Sequence, residues 1–285
     1  MKKLLYIAAV LFAISCNDTE TGAEEPNIGY GRLAIETSTD NVITATTTRS
    51  DIYYLSEDLL PSDDELTLYV EGIYIDSDSG ETMTFSQGYE SLDAYNESEE
   101  VDGVMCPPYL PAGDYVFTIT DSSDDTVESA TNACFTGSSD VTIYARDYNA
   151  TTNITLKLRN SIIAIETTEW FDNYFAGGAT LKLSTESGSE IIYDSTSSDE
   201  ENNAILFVPA STTLYLEGEG TKQSPTEDPS DASTVTFTKS SIGTTTAGIL
   251  SRVAVDAATA GGSKITITLD DTITDISYET IELNQ

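Results

Sequence analysis

The sequence predicts an all-β protein, and three observations carry that expectation. Large apolar side chains recur at every second position in short runs, as in Leu66-Thr67-Leu68-Tyr69-Val70-Glu71 and Ile154-Thr155-Leu156-Lys157-Leu158, the period of a strand with one buried face. The runs are rich in β-branched and aromatic residues, and clusters of Gly, Ser, Asp and Pro separate them with turn-forming chemistry. Helical periodicity is almost absent. Only 53–60 and 168–175 have room for a turn or two.

The segments are justified in chain order. Lys2 and Lys3 give a basic start, and Leu4 to Ile14 is apolar over the length of a signal-peptide core, too short to cross a bilayer. Ala13-Ile14-Ser15 then runs straight into Cys16. This resembles the lipobox of exported bacterial lipoproteins, with Ala at a first position where Leu is commonest. The resemblance implies removal of residues 1–15 and a membrane anchor through lipid on Cys16. An ordinary signal peptide with an incidental cysteine is the alternative. Residues 16–28 are polar, acidic and aperiodic, as a tether would be. Acidic residues just after such a cysteine resemble the signal that sends Bacteroidetes lipoproteins to the outer leaflet, which implies the outer membrane and the cell surface.

From Tyr30 onward the alternation begins. Leu33-Ala34-Ile35-Glu36-Thr37, the two runs quoted above, Tyr115-Val116-Phe117-Thr118-Ile119 and Val141-Thr142-Ile143-Tyr144 form a first set of expected strands. A second set comprises 181–183, 205–208, 214–216, 235–237, 265–269 and 276–278. The opening strand returns as Ile163-Ala164-Ile165-Glu166-Thr167, 130 positions later, and that spacing is a natural size for a β-sandwich. The expectation is therefore an N-terminal β-sandwich over 29–159 and a C-terminal one over 160–285, joined with almost no linker and sharing a modest interface. Tyr89, Tyr95 and Tyr109 fall in a loop-rich stretch from 78 to 112, where a binding surface is expected.

Composition excludes several functions. Twelve Lys and Arg stand against 49 Asp and Glu, a formal charge of -37, so nucleic acid and anionic lipid headgroups are repelled. Histidine is absent, which removes Ser-His-Asp and Cys-His devices and imidazole metal sites. No Ser-x-x-Lys spacing occurs. Carboxylates are plentiful, yet nothing in the sequence places two of them in a cleft. The expectation is a protein that is not an enzyme and needs no cofactor or metal. The acidic runs Asp121-Ser122-Ser123-Asp124-Asp125 and Ser197-Ser198-Asp199-Glu200-Glu201 read as solvated loops, the alternative being loop calcium without EF-hand spacing. Cys106 and Cys134 read either as a disulfide or as two small buried hydrophobes. Trp170-Phe171-Asp172-Asn173-Tyr174-Phe175 reads as a plug at one end of a sandwich, or as a sugar-stacking platform.

Three pieces coincide: the Cys16 lipobox with its acidic tether, the opening Gly29-Tyr30-Gly31-Arg32-Leu33, and Leu158-Arg159-Asn160-Ser161-Ile162 passing into the Trp170 segment. Together they resemble the two-domain lipoproteins of gut Bacteroidetes that are related to fimbrillins. The resemblance implies tandem transthyretin-like β-sandwiches and a role in fimbrial assembly or adhesion through protein–protein contacts, with surface glycan binding as the other reading. In the related pilins, a trypsin-like protease cuts after an Arg near the N-terminus, and a strand from another subunit fills the groove that opens. Arg49, in Thr46-Thr47-Thr48-Arg49-Ser50, is the corresponding candidate, with a plain surface arginine as the alternative; Arg32 would be shielded by its strand. Asp275-Ile276-Ser277-Tyr278-Glu279-Thr280-Ile281-Glu282-Leu283 reads either as a donor strand or as an ordinary last strand.

Overall fold

The computed structural model describes residues 27–40, 42–44, 52–222, 234–257, 264–270 and 280–282. Four strands open the chain: β1 (Tyr30–Gly31), β2 (Leu33–Thr39), β3 (Val42–Thr44) and β4 (Ile52–Tyr54). A 3-10 turn at Glu57–Leu59 precedes β5 (Leu66–Ile75) and β6 (Thr82–Tyr89). The short helix α1 (Leu92–Asn96) leads through β7 (Glu99–Val101), β8 (Val104–Cys106) and β9 (Leu110–Pro111) to β10 (Gly113–Asp121). β11 (Phe135–Ile143) and β12 (Ala150–Leu158) reach the middle of the chain. Then come β13 (Ser161–Thr167), α2 (Glu169–Tyr174), β14 (Ala179–Thr185), β15 (Glu190–Asp194), α3 (Asp199–Asn202) and β16 (Ile205–Val208). The last strands are β17 (Thr213–Thr221), β18 (Thr234–Thr244), β19 (Leu250–Ala257), β20 (Lys264–Asp270) and β21 (Thr280–Glu282).

The all-β expectation holds for the described residues. A six-stranded sheet runs β2-β12-β11-β10-β5-β6. Its two parts are joined at a corner, because β11 and β12 share only Phe135↔Leu158 and Thr136↔Lys157. Past that corner the sheet folds over, and inward side chains of both parts meet: Leu33 and Ile35 of β2 with Leu68 and Val70 of β5 and Phe117 and Ile119 of β10. Gly72 makes one close approach possible. A Cβ there would fall 2.2 Å from the Tyr115 ring, so the ring lies across the glycine while its hydroxyl donates to Pro111 O at 2.7 Å.

A five-stranded sheet, β16-β13-β19-β20-β21, and a four-stranded one, β15-β14-β17-β18, enclose a second apolar cluster. The clusters do not divide at residues 159 and 160. Ile162, Ala164, Phe207 and Leu250 belong to the first cluster, and Ser129 and Phe207 exchange two main-chain hydrogen bonds. The sequence echo has a topological counterpart. β2 pairs in parallel with β12, and β13 in parallel with β19, each before an antiparallel neighbour.

The stretch 78–112 is not chiefly loop. It holds β6, α1 and β7 to β9. β6 escapes sequence reading because its side chains are mostly exposed on both faces, so no alternation marks it. The acidic run from Asp121 also departs from its expected solvated character at its first residue. Asp121 ends β10, is 6% exposed, and accepts the Phe135 N–H at 2.8 Å.

Candidate functional site

The feature that invites a functional reading is the seat of β2. The strand lies at one edge of its sheet, paired with β12 from Leu33↔Ala150 to Thr39↔Leu156. Leu33 and Ile35 point into the core, 2% and 3% exposed. Asp40 N donates to Leu156 O at 2.9 Å, so the main-chain groups of even-numbered residues face β12 and those of odd-numbered residues face outward.

Side chains from α1 meet those outward groups. Ile35 N donates to Asn96 Oδ1 at 3.1 Å, and Asn96 Nδ2 donates to Ile35 O at 2.9 Å. The primary amide thereby occupies the place of a neighbouring strand's peptide group. Tyr95 OH donates to Leu33 O at 2.8 Å. Burial and the nearby Tyr89 push the Tyr95 phenol far above its usual pKa, so it remains a donor. The helix is set by Ser91, whose side chain caps it by accepting from Ala94 N at 3.0 Å. Its Leu92 and Tyr95 are fully buried.

The strand's start is held as firmly. Arg32, between β1 and β2, is 4% exposed. Its Nη2 lies 2.6 Å from Glu99 Oε2, and its guanidinium sits 3.8 Å from the centroid of the Tyr109 ring. Tyr109 in turn meets Tyr148 edge-on at 5.7 Å. Arg32 is thus shielded from proteases, as its place in the sequence suggests.

Cys16 and Arg49 lie outside the described residues, as do all but 280–282 of the stretch 275–283. Those three form β21, paired with β20. Cys106, on β8, and Cys134 are both free thiols, the first half-buried and the second buried. Burial, reinforced by the Asp121 carboxylate, pushes the Cys134 thiol up to about 11. Cys134 N donates to Asn160 Oδ1 at 3.2 Å, at the turn between β12 and β13. The aromatic segment divides: Phe171 and Phe175 plug the second core, whereas Trp170 is 63% exposed. Among the described residues no group of three His, Cys, Asp or Glu side chains is placed to hold a metal ion.

A second surface lies on the outer face of β5, β6 and β10. Tyr69, 44% exposed, stands opposite Gly88, and its hydroxyl shares a 2.6 Å hydrogen bond with Ser86 Oγ. Beside the ring is a hollow of about 410 Å³ lined in part by Thr67, Thr118 and Thr120.

The family described as a domain of unknown function, DUF4493, matches residues 29–285. No curated protein matches the chain. Among solved structures, a fimbrial assembly protein from Parabacteroides distasonis is 8% identical, with 86% of this chain and 96% of that one covered and a TM-score of 0.40. A candidate polysaccharide-binding protein from Bacteroides thetaiotaomicron is 10% identical, covering 83% and 95%, with a TM-score of 0.40. A candidate cell adhesion protein from Bacteroides eggerthii is 11% identical, covering 91% and 96%, with a TM-score of 0.34. None of these overlaps transfers a function to the chain.

Proposed function

Since the chain belongs to the DUF4493 family, we propose, from its own residues and geometry, that it is a non-enzymatic surface component of fimbrial or adhesive type that acts by protein–protein contacts. In this reading Cys16 carries the lipid that delivers it to the outer membrane, and two tandem sandwiches, 29–159 and 160–285, form the body. The single observation that carries the reading is the seat of β2. An edge strand upstream of Arg49 buries two side chains and pairs in parallel with β12. Its loss would bare an apolar groove and a strand edge of the kind that accepts another chain's strand. Asn96 and Tyr95 would then meet the incoming main chain.

Limited trypsin treatment of the mature protein tests this. The expected result is a new N-terminus at Ser50, departure of the segment before it, and native masses at multiples of the chain that begins at Ser50. A folded chain that trypsin leaves intact and that stays monomeric sinks the proposal.

A second reading, surface glycan binding, rests on Tyr69. A ring on a flat sheet face beside threonine hydroxyls complements the C–H face and hydroxyls of a sugar. Retardation on neutral polysaccharide affinity gels, lost in Tyr69→Ala, is its expected outcome. Unretarded migration across a broad panel removes it.

A further inference from the structure

A cavity of about 980 Å³ opens beside the end of β13, with α2 and the residues after β15 forming its other walls. That volume suits a ligand rather than a few waters. What sets it apart is a stretch of strand edge inside it that no other strand of the described residues pairs with. β16 pairs with β13 only from Ser161↔Val208 to Ala164↔Ile205. On the opposite side, β19 stays paired as far as Thr167↔Val255.

The peptide directions follow from two bonds. Ile162 N donates to Ile249 O at 3.0 Å, and Thr168 N to Val255 O at 3.1 Å. Even-numbered residues of β13 therefore turn their main-chain groups to β19, and odd-numbered residues turn theirs to the other edge. At Ser161 and Ile163 that edge is filled by β16. At Ile165 and Thr167 no strand continues it among the described residues, and both residues line the cavity. Ile165 is buried, buried main-chain groups need partners, and a strand edge is matched best by another extended chain.

The surrounding chemistry narrows the occupant. Asp172 and Glu166 both face the cavity, with Arg252 as the opposing charge. Asp172 accepts from Tyr193 OH at 2.9 Å, and Arg252 lies 3.4 Å from Glu166. Carboxylates outnumber guanidinium here, on a chain whose formal charge is -37, which favours a cationic side chain. Phe175 and Leu250 supply apolar floor. We infer that this cavity binds a short extended peptide segment of another protein, added as a strand along Ile165–Thr167 with a Lys or Arg directed at Asp172, which bonds the Thr167 hydroxyl on one face of β13, while Glu166 is held by Arg252 on the other. At about 3.3 Å per residue, the open edge spans roughly 10 Å, enough for three residues of the guest. The site does not involve β2 or Arg49, so it stands or falls apart from trypsin cleavage there.

The test uses the mature chain and a blocked pentapeptide, acetyl-Val-Lys-Val-Lys-Val-amide, titrated calorimetrically at low ionic strength. Saturable one-to-one binding is expected. Two further peptides carry N-methyl groups on alternate amides, one set on each edge. One of them should bind about tenfold more weakly, through loss of main-chain hydrogen bonds, and the other nearly as well as the parent. Replacing Lys by Glu in the probe should abolish binding. Asp172→Asn should weaken it severalfold while thermal unfolding stays put, which separates charge recognition from misfolding, and Glu166→Gln, on the other face of the strand, should change it little. Equal tolerance of both N-methyl patterns would overturn the inference, as would absence of saturable binding. Displacement of the peptide by a neutral maltodextrin of similar affinity would reassign the cavity to glycans and overturn it too.

Discussion

Asn96 shows how much one side chain can do at a sheet edge. Its amide satisfies both main-chain groups of Ile35, a donor and an acceptor that no neighbouring strand among the described residues serves. Asn96→Ala leaves both without that partner, and the expected cost is about 1–3 kcal/mol in urea unfolding, together with faster hydrogen exchange at Ile35. Exchange unchanged at Ile35 would show that the amide is dispensable. The two thiols make a second contrast. Cys134 is buried with its thiol raised to about 11, while Cys106 sits half-buried on the short β8. Only the thiolate reacts. Iodoacetamide at pH 8 is therefore expected to label Cys106 well before Cys134, and unfolding to equalise them. Comparable rates in the folded protein would contradict the burial of Cys134.

At the scale of elements, the strands were readable wherever one face is buried and the other is wet. β5, with its buried–exposed alternation through Val70, is the clearest case, and the expected runs at 33–37, 115–119 and 154–158 all fall within strands. β6 was not readable, for its period-two contrast is erased by exposure on both faces. Strand partners were equally hidden. Nothing in Leu33-Ala34-Ile35 names β12, because pairing is chosen by the packed core and not by the local pattern. The same holds for the candidate site. The helix over Leu92–Asn96 falls outside the two stretches where helical turns are expected from sequence, and the task of Asn96 depends on the register of a strand 61 residues upstream. Arg49 and Cys16, the residues the sequence singled out most sharply, lie outside the described residues.

At the scale of the whole molecule, a polar knot stands beside the first apolar cluster where β12 turns into β13. Asp121 accepts from Phe135 N and lies 3.4 Å from Arg159, whose Nη2 donates to Ser123 O at 2.7 Å. Burial nonetheless holds the Asp121 carboxyl above the ordinary value of 3.8. The folded state therefore favours its protonated form. The stability this contributes is fully present below 3.8 and is lost as pH rises through the raised value. Asp76, Asp124 and Asp194 run the other way. Hydrogen bonds from the turns that follow them lower their pKa values, so their contribution is present above 3.8 and fades on acidification. Comparing wild type with Asp121→Asn isolates the buried group. Urea unfolding from pH 7 down to pH 4 should show the wild type gaining relative to the variant as pH falls. A constant difference would mean that Asp121 titrates normally.

The parallel pairing of β2 with β12 also sets a timetable. Leu33 meets Ala150, so β2 cannot be seated until more than a hundred further residues have been made. Closing so long a loop costs entropy before any contact repays it, and topologies of this kind fold slowly. Until β12 arrives, the apolar residues of β2 travel uncovered, exposed to wrong pairings and to whatever holds nascent chains. A strand made early must wait for a partner made much later.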